Sequence, residues 1–268
     1  HRKNPSTLHP PPSTPRLVKA RELDALRLKE EAVEEYWELA LASSGDLSLL
    51  SEALSRFVEA ERFDKTLWIA KKILKPLSLQ RPKAEPIPGF WGYLFPLGYF
   101  SLVKAEASSS DLDPYLVLAV IREESAFQKD AVSGTGARGL MQLLPQTAEL
   151  IAKTVKLEQP AINDSPERST ERSRRRLVAG GLDSPQLNVA LGTRYLSQLL
   201  QEFSGDLALS LAAYNAGPHQ VRRWLEKHGY ASPEAFIEEI PFQETRSYVK
   251  RVLGSYDRYQ ALYGERKE

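Results

Sequence analysis

The sequence predicts an all-α protein, and three observations support this prediction. Apolar residues recur at the spacing of one helix face along most of the chain. Gly, Pro, Ser and Asp separate these segments in the manner of short turns. Alternating apolar and polar residues, which would indicate strands, are hard to find anywhere. The 268 residues, 42% of them hydrophobic, can form a packed core in one large domain or two smaller ones.

The first part of the chain is predicted to be a disordered lead followed by stacked helices. Residues 1–15 contain five prolines and nothing that could form a core, which predicts a disordered lead. Residues 16–75 contain short amphipathic segments, one of which has Asp46 as a natural N-cap. A later segment follows Asp64 and is expected to end before Pro76. Short antiparallel helices of this kind are typical of an α-superhelical or helical-hairpin segment, although no strict repeat is present.

A second domain is predicted over residues 90–268. Residues 76–89 contain four prolines and read as a linker. Helices are expected from Trp91 to Ala107 and up to Glu124, and the pattern resumes in the C-terminal third of the chain at 188–203, 207–213 and 221–225. Residues 154–186 are polar and rich in helix breakers, and they predict a surface excursion. Its arginine cluster is interpreted as a solvated loop, with contact to an anionic polymer as the alternative.

Composition excludes several classes of function. The chain has 36 basic and 35 acidic residues, so it lacks the positive field of a nucleic-acid-binding protein. It has no cysteine, which excludes disulfides and thiolate nucleophiles, and its four histidines are scattered, so we expect no metal and no cofactor. No stretch approaches the roughly 20 apolar residues of a membrane span. Since the chain begins at His1, we expect any targeting segment to be lost from view.

Ile121 to Leu144 is the stretch with the clearest chemistry. It is predicted to end a helix with Glu123 and Glu124, pass through a glycine-rich loop and re-enter a helix at Gly139. A carboxylic acid held at such a junction is a candidate general acid, because burial raises a carboxyl pKa. The two adjacent side chains project roughly 100° apart and cannot aim at the same target. Apolar neighbours lie on both faces, so periodicity leaves either residue, or a solvated helix end, open.

Other motifs have more than one interpretation. Gly134, Gly136 and Gly139 match the letters of a dinucleotide fingerprint, but a helix precedes them where that motif needs a strand. The segment 212–218 places a phenol and an amide at a helix end, where they could bind sugar hydroxyl and acetamido groups or merely cap and pack. The segment 240–248 could be a turn that leads into the last helix.

Four segments in order, 122–127, 136–142, 212–218 and 240–248, resemble the soluble lytic murein transglycosylase family. The resemblance covers about 90–264 and implies a goose-lysozyme-like helical catalytic domain, and the preceding helices are similar in character to the family's superhelical domain. Leu144 stands where a Met is common in the family, and the excursion at 154–186 is longer than usual.

The resemblance implies a role for each matching residue. Glu124, which immediately precedes Ser125 of the first motif, corresponds to the catalytic acid. Gln142 would line the sugar groove, and Glu244 would face that groove or the peptide stem. The residues implied to bind substrate are Ser125, Ser133, Met141, Gln142, Tyr214, Asn215 and Glu244.

The implied activity is cleavage of the β-1,4 bond between N-acetylmuramic acid and N-acetylglucosamine, with one catalytic Glu and a 1,6-anhydro-muramyl product. The implied partners are peptidoglycan glycan strands, and the N-terminal helices would offer a surface to protein partners. The implied location is the bacterial cell envelope, periplasmic or extracytoplasmic. Two alternatives stay open: a lysozyme-type hydrolase and a non-catalytic peptidoglycan-binding scaffold.

Overall fold

A computed structural model describes residues 15–80, 87–154 and 181–264. The prediction of an all-α fold is confirmed: the described residues form helices, turns and two isolated β-bridges, with no strand among them. The chain divides into two compact units between Pro96 and Leu97. The predicted lead up to residue 14, residues 81–86 of the predicted linker and most of the 154–186 excursion lie outside the described residues.

The first unit is a series of short helices around an apolar core. Its helices are α1 Pro15–Ala25, α2 Lys29–Ala42, α3 Leu47–Glu59, α4 Phe63–Ile69, α5 Lys75–Gln80 and α6 Phe90–Leu94. The predicted cap is confirmed, because the Asp46 side chain accepts hydrogen bonds from the amides of Ser48 and Leu49, each at 3.1 Å. Tyr36 and Phe57 are fully buried, as expected for the apolar faces of two amphipathic helices.

The expectation that the helix after Asp64 ends before Pro76 is wrong. A π-helical turn, Ala70–Leu74, joins α4 to α5, and the helical path continues to Gln80. Within this wider turn the Lys75 amide bonds to the Ala70 carbonyl five residues earlier. Pro76 follows directly, as the second residue of α5.

The second unit is organised around one buried helix. Its helices are α7 Phe100–Ser109, α8 Pro114–Glu124, α9 Pro145–Thr154, α10 Pro185–Glu202, α11 Leu207–Ala216, α12 Pro218–His228, α13 Pro233–Glu239 and α14 Gln243–Tyr263. Every residue of α8 from Leu116 to Ile121 is buried, and α7 and α14 pack against it. No helix among the described residues is long and apolar enough to cross a membrane.

Two predicted helices of this domain are wrong. The helix expected from Trp91 to Ala107 is interrupted: one helix ends at Leu94, Tyr99 has a left-handed backbone with φ 57°, and the next helix begins at Phe100. No helix begins at Gly139, where φ is 77°. Instead Arg138 forms isolated β-bridges with Val132 and Leu143, and the next helix begins at Pro145.

Candidate active site

Helix α8 places Glu124 at the end of the most buried segment of the second unit. Asp113 caps its start by accepting the Tyr115 amide at 2.7 Å, and Pro114 occupies the first turn. Ser125 ends the helix, and its buried hydroxyl donates to the Ile121 carbonyl at 3.2 Å. Glu124 therefore projects from a fixed position in the fold rather than from a mobile end.

The backbone immediately after Glu124 adopts a sparsely populated conformation. Ala126 and Phe127 have φ values of 52° and 68°. Since Phe127 is fully buried, its side chain anchors this reversal against the core. Strained backbone of this kind is concentrated at functional sites, where the surrounding structure maintains it.

The Glu124 carboxyl group is largely enclosed by protein. Burial raises its pKa from 4.5 to about 7, opposed by the Tyr248 hydroxyl and the positive charge of Arg251. The negative charges of Glu244 and Glu123 add to the rise. A carboxyl group with this pKa keeps a proton near neutral pH, which is what general acid catalysis requires.

Two tyrosines from different helices lie next to this carboxyl group. Burial, followed by the charge of Glu124, raises the pKa of Tyr214 and of Tyr248 well above the ordinary value. The Tyr214 hydroxyl donates to the Met141 carbonyl at 2.8 Å. The Tyr248 hydroxyl lies near enough to Glu124 to lower its pKa, yet it reaches no described group with full hydrogen-bond geometry. It is thus a buried donor with unused capacity beside the acid.

Glu123 has a different environment from its neighbour. Its side chain is 7% exposed and forms an ion pair with Arg122, which is 8% exposed. The Ser255 hydroxyl, from α14, donates to Glu123 Oε1 at 2.8 Å. The structure therefore separates the two carboxyl groups that periodicity left equivalent: Glu123 is held in an ion pair, and Glu124 is desolvated beside two phenols.

The loop between α8 and α9 is held in place by Asn188 of α10. Its side-chain oxygen accepts the Met141 amide at 2.7 Å, and its amide nitrogen donates to the carbonyls of Arg138 and Leu182 at 2.8 and 2.9 Å. Gly139 passes so close that a Cβ there would lie 2.2 Å from Asn188 Nδ2. A bidentate pair between Arg138 and Asp183, at 3.1 and 2.6 Å, fastens the same loop.

The predicted substrate-binding residues of this loop have distinct places. The Ser133 hydroxyl accepts the Ala137 amide at 3.0 Å. Gln142 is half-buried, and its amide nitrogen donates to the carbonyls of Ala131 and Gly139. Met141 is fully buried, and its sulfur lies 3.9 Å from the Thr193 hydroxyl oxygen. In the described structure, therefore, Met141 packs inside the domain, whereas Ser133 and Gln142 shape the loop.

The predicted residues of the third and fourth motifs lie on α11 and α14, and each of these helices brings a titratable side chain within electrostatic reach of Glu124. Tyr214 joins the loop to Glu124, because it contacts the Met141 carbonyl and its own pKa responds to the charge of Glu124. Asn215 accepts the Thr245 hydroxyl at 2.7 Å, which ties α11 to the start of α14. Glu244 is exposed in the first turn of α14 and acts on Glu124 through its charge.

Three residues of the site were missed in the sequence. Tyr248 and Arg251 follow Glu244 at positions i+4 and i+7, so helical periodicity places them on one face of α14. Applying that spacing to the fourth motif would have found both. Asn188 had no such signal, because its role depends on a loop 47 residues earlier in the chain. Within the described ranges, no group of three or more His, Asp or Glu side chains could hold a metal ion.

The fold and the site define a class of protein. An all-α unit with an enclosed carboxyl group at the end of a buried helix, followed in the chain by a glycine-rich loop, is a lysozyme-like domain. Comparison with known sequences makes this more specific, since the family model described as "Transglycosylase SLT domain" matches residues 101–237. The chain belongs to this family.

Individual proteins of similar sequence are also named as lytic transglycosylases. The soluble lytic murein transglycosylase of Escherichia coli K12 is 34% identical over 85% of this chain and 32% of its own length. A putative soluble lytic murein transglycosylase of Haemophilus influenzae is 35% identical over 64% of this chain and 27% of its own length. The chain thus spans about a third of the curated relatives that it matches.

Solved structures give the same result. The 70 kDa soluble lytic transglycosylase of E. coli superposes with a TM-score of 0.68 and 29% identity, over 94% of this chain and 36% of that one. The lytic transglycosylase Slt of Pseudomonas aeruginosa, as an inactive glutamate-to-glutamine mutant, has a TM-score of 0.56 and 28% identity, over 95% of this chain and 38% of that one. The resemblance to the soluble lytic murein transglycosylases is confirmed.

Proposed function

We propose that this chain is a peptidoglycan lytic transglycosylase with Glu124 as its single catalytic residue. The observation that carries the proposal is the enclosed Glu124 carboxyl group, whose pKa burial raises to about 7. Family membership supplies the substrate class, because the relatives are named murein transglycosylases. The inactive glutamate-to-glutamine mutant of the Pseudomonas relative supports a glutamate as the reacting group.

In the proposed reaction, Glu124 first acts as a general acid. It gives its proton to the glycosidic oxygen between N-acetylmuramic acid and N-acetylglucosamine, and the bond from that oxygen to the anomeric carbon breaks. The positive charge at the anomeric carbon is stabilised by the substrate's own acetamido group or spread as an oxocarbenium-like state. The Glu124 carboxylate then takes the proton of the 6-hydroxyl, whose oxygen attacks the anomeric carbon. The product is a 1,6-anhydro end, and no water is consumed.

The carboxylates around Glu124 support a reaction with one carboxyl group. Most glycosidases use two carboxyl groups, one as acid and the other as nucleophile or base. Glu123 is held in its ion pair with Arg122 and by the Ser255 hydroxyl, so it is unsuited to attack an anomeric carbon. Glu244 lies exposed in the first turn of α14, where it suits contact with polar parts of the substrate.

The proposal is tested by Glu124→Gln on purified murein sacculi. We expect release of muropeptides to fall at least about 10³-fold, since the amide cannot donate the required proton. Glu226→Gln makes the same chemical change on an exposed face of α12 and should retain full activity. Circular dichroism would show that both variants are folded. Normal release by the Glu124 variant would refute the assignment.

The same digests decide between the proposed reaction and its two alternatives. Mass spectrometry should find products lighter by one water than those of lysozyme. Reducing ends in their place would identify a lysozyme-type hydrolase. Binding of the wild-type chain to sacculi without any turnover would identify a peptidoglycan-binding scaffold.

The proposed location follows from the substrate. Peptidoglycan lies outside the cytoplasmic membrane, so we place the protein in the periplasm or another extracytoplasmic part of the bacterial envelope. We also propose that the helices of the first unit serve as a surface for protein partners. Fractionation of cells that produce the tagged protein tests the location. Crosslinking before the fractionation tests whether the first unit contacts protein partners.

A further inference from the structure

A buried ion pair lies beside Glu124 and takes no part in the reaction proposed above. Arg122 and Glu123 are consecutive in α8, and their side chains are 8% and 7% exposed. The Ser255 hydroxyl completes a closed triangle, because it accepts from Arg122 Nη1 at 3.0 Å and donates to Glu123 Oε1 at 2.8 Å. These contacts engage Arg122 Nη1 and one oxygen of Glu123.

The other oxygen of Glu123 has a second cationic partner. Glu123 Oε2 lies 3.3 Å from Arg251 Nε of α14. The Arg251 side chain is 52% exposed, so the buried pair does not need it for burial or charge balance. Glu123 therefore holds a solvent-accessible guanidinium at the border of the site.

Arg251 is also near enough to act on Glu124. Its positive charge lowers the pKa of the Glu124 carboxyl group, in the opposite direction to burial. A guanidinium that paired directly with Glu124 would favour the carboxylate much more strongly, because a direct pair adds hydrogen bonds to the charge attraction. Such a pair would remove the proton that the proposed reaction needs.

We propose that Glu123 is a positioning residue, which engages the Arg251 guanidinium in an ion pair and so keeps it from pairing with the Glu124 carboxyl group. The proposal rests on the function proposed above, in which Glu124 is the acid. The negative charge of Glu123 also favours the protonated form of Glu124, because a second negative charge opposes ionisation of the neighbouring carboxyl group. The charged and titratable groups that act on Glu124 are Glu123 from α8, Tyr214 from α11, and Glu244, Tyr248 and Arg251 from α14.

The test compares pH profiles of sacculus cleavage by the 268-residue chain and its variants. In Glu123→Gln the negative charge is lost and Arg251 is released, so the pKa of Glu124 should fall. The alkaline limb of the pH–activity profile should then move about one unit to lower pH. This corresponds to a loss of about tenfold on the alkaline side and of less than about twofold at pH 5. Arg251→Gln should move the limb to higher pH. Lys250→Gln, an exposed neighbour on α14 that pairs with Glu238, should leave it in place.

Opposite shifts of the alkaline limb in Glu123→Gln and Arg251→Gln would distinguish a positioning role of Glu123 from a merely structural one. An equal loss at every pH in Glu123→Gln, or limbs that stay in place in both variants, would overturn the proposal. If Glu123→Gln fails to fold, Glu123→Asp takes its place, because it keeps the negative charge but shortens the reach to Arg251. For that variant, a shift of the alkaline limb to lower pH supports the proposal, and a limb that stays in place overturns it.

A direct titration keeps this proposal separate from the function on which it rests. Carbon-13 NMR of labelled glutamate carboxyl groups reports the Glu124 titration, with its signal identified by its absence in Glu124→Gln. A wild-type chain without lytic activity would refute the proposed function, while the NMR shifts would still decide the role of Glu123. An active wild type with the same Glu124 titration in both variants would refute the positioning role alone.

Discussion

The enclosed carboxyl group of Glu124 destabilises the fold at the pH where it is ionised. Its pKa is about 7 in the folded chain and 4.5 in its ordinary state, so between these pH values the folded chain binds more protons than the unfolded one. The stability that it contributes is fully present below pH 4.5 and is lost as the pH rises through 7. The same burial that raises the pKa of Glu124 therefore weakens the fold in alkaline solution.

Glu124→Gln should remove this pH-dependent loss. We expect the variant to be more stable than the wild type by about 2 to 3 kcal/mol at pH 8, because a neutral amide avoids the burial of a charge, and to match it at pH 4. Urea unfolding at both pH values measures the difference. Glu226→Gln, on an exposed helix face, should show no comparable change. A difference that is the same at pH 4 and pH 8 would contradict the role of burial.

At the scale of elements, the loop between α8 and α9 depends on another helix for its shape. It contains little regular structure, and Asn188 of α10 supplies hydrogen bonds to its backbone at Arg138 and Met141. Close approach of the two elements requires a residue without a side chain at Gly139, which also has a left-handed backbone. The loop and α10 thus form one functional element that positions the wall of the site.

Gly139→Ala should disrupt this element, whereas Gly136→Ala should not. Both glycines have left-handed backbones, with φ values of 77° and 83°, so alanine costs about 1 kcal/mol at either position for conformation alone. At Gly139 the added Cβ would also lie 2.2 Å from the Leu182 carbonyl oxygen, whereas nothing lies within 4 Å at Gly136. We expect Gly139→Ala to cost about 3 kcal/mol or more and most of the activity. Equal losses in thermal unfolding would show that the close approach is unimportant.

At the scale of the whole molecule, the last helix returns to the start of the central one. Asp113, the N-cap of α8, also accepts the Tyr256 hydroxyl at 2.9 Å and the Gln260 amide at 2.5 Å, both from α14. The Tyr115 hydroxyl donates to the Tyr263 carbonyl at 2.7 Å, across 148 positions of sequence. One end of α14 thereby secures α8, while the other end brings Tyr248 and Arg251 to the site.

Asp113→Ala should therefore destabilise the chain more than the loss of an ordinary cap. Asp46→Ala is the matched control, because Asp46 caps α3 through two local backbone amides. We expect about 1 kcal/mol for the control and about 2 kcal/mol or more for Asp113→Ala, whose carboxylate also holds two side chains of α14. Denaturant unfolding followed by far-ultraviolet circular dichroism measures both. Equal costs would mean that the contacts with α14 add nothing to the cap.

The sequence by itself determined the local features of this protein. The all-α class, the cap at Asp46 and the helices that end at Glu124 and begin near Asn188 follow from periodicity and capping residues, which act within a few positions of the chain. The order of four motifs identified the family without any geometry. The errors at Trp91–Ala107 and at Gly139 arose where tertiary packing sustains left-handed backbone that an apolar pattern does not reveal.

Only the tertiary structure decided how the two adjacent glutamates differ. Glu123 meets Ser255, 132 positions later, whereas Glu124 meets side chains from α11 and α14. A carboxyl pKa depends on burial and on the charges around it, and residues distant in sequence supply both. Periodicity could therefore place the two carboxyl groups roughly 100° apart on α8, but the packing of the other helices holds one in an ion pair and raises the pKa of the other.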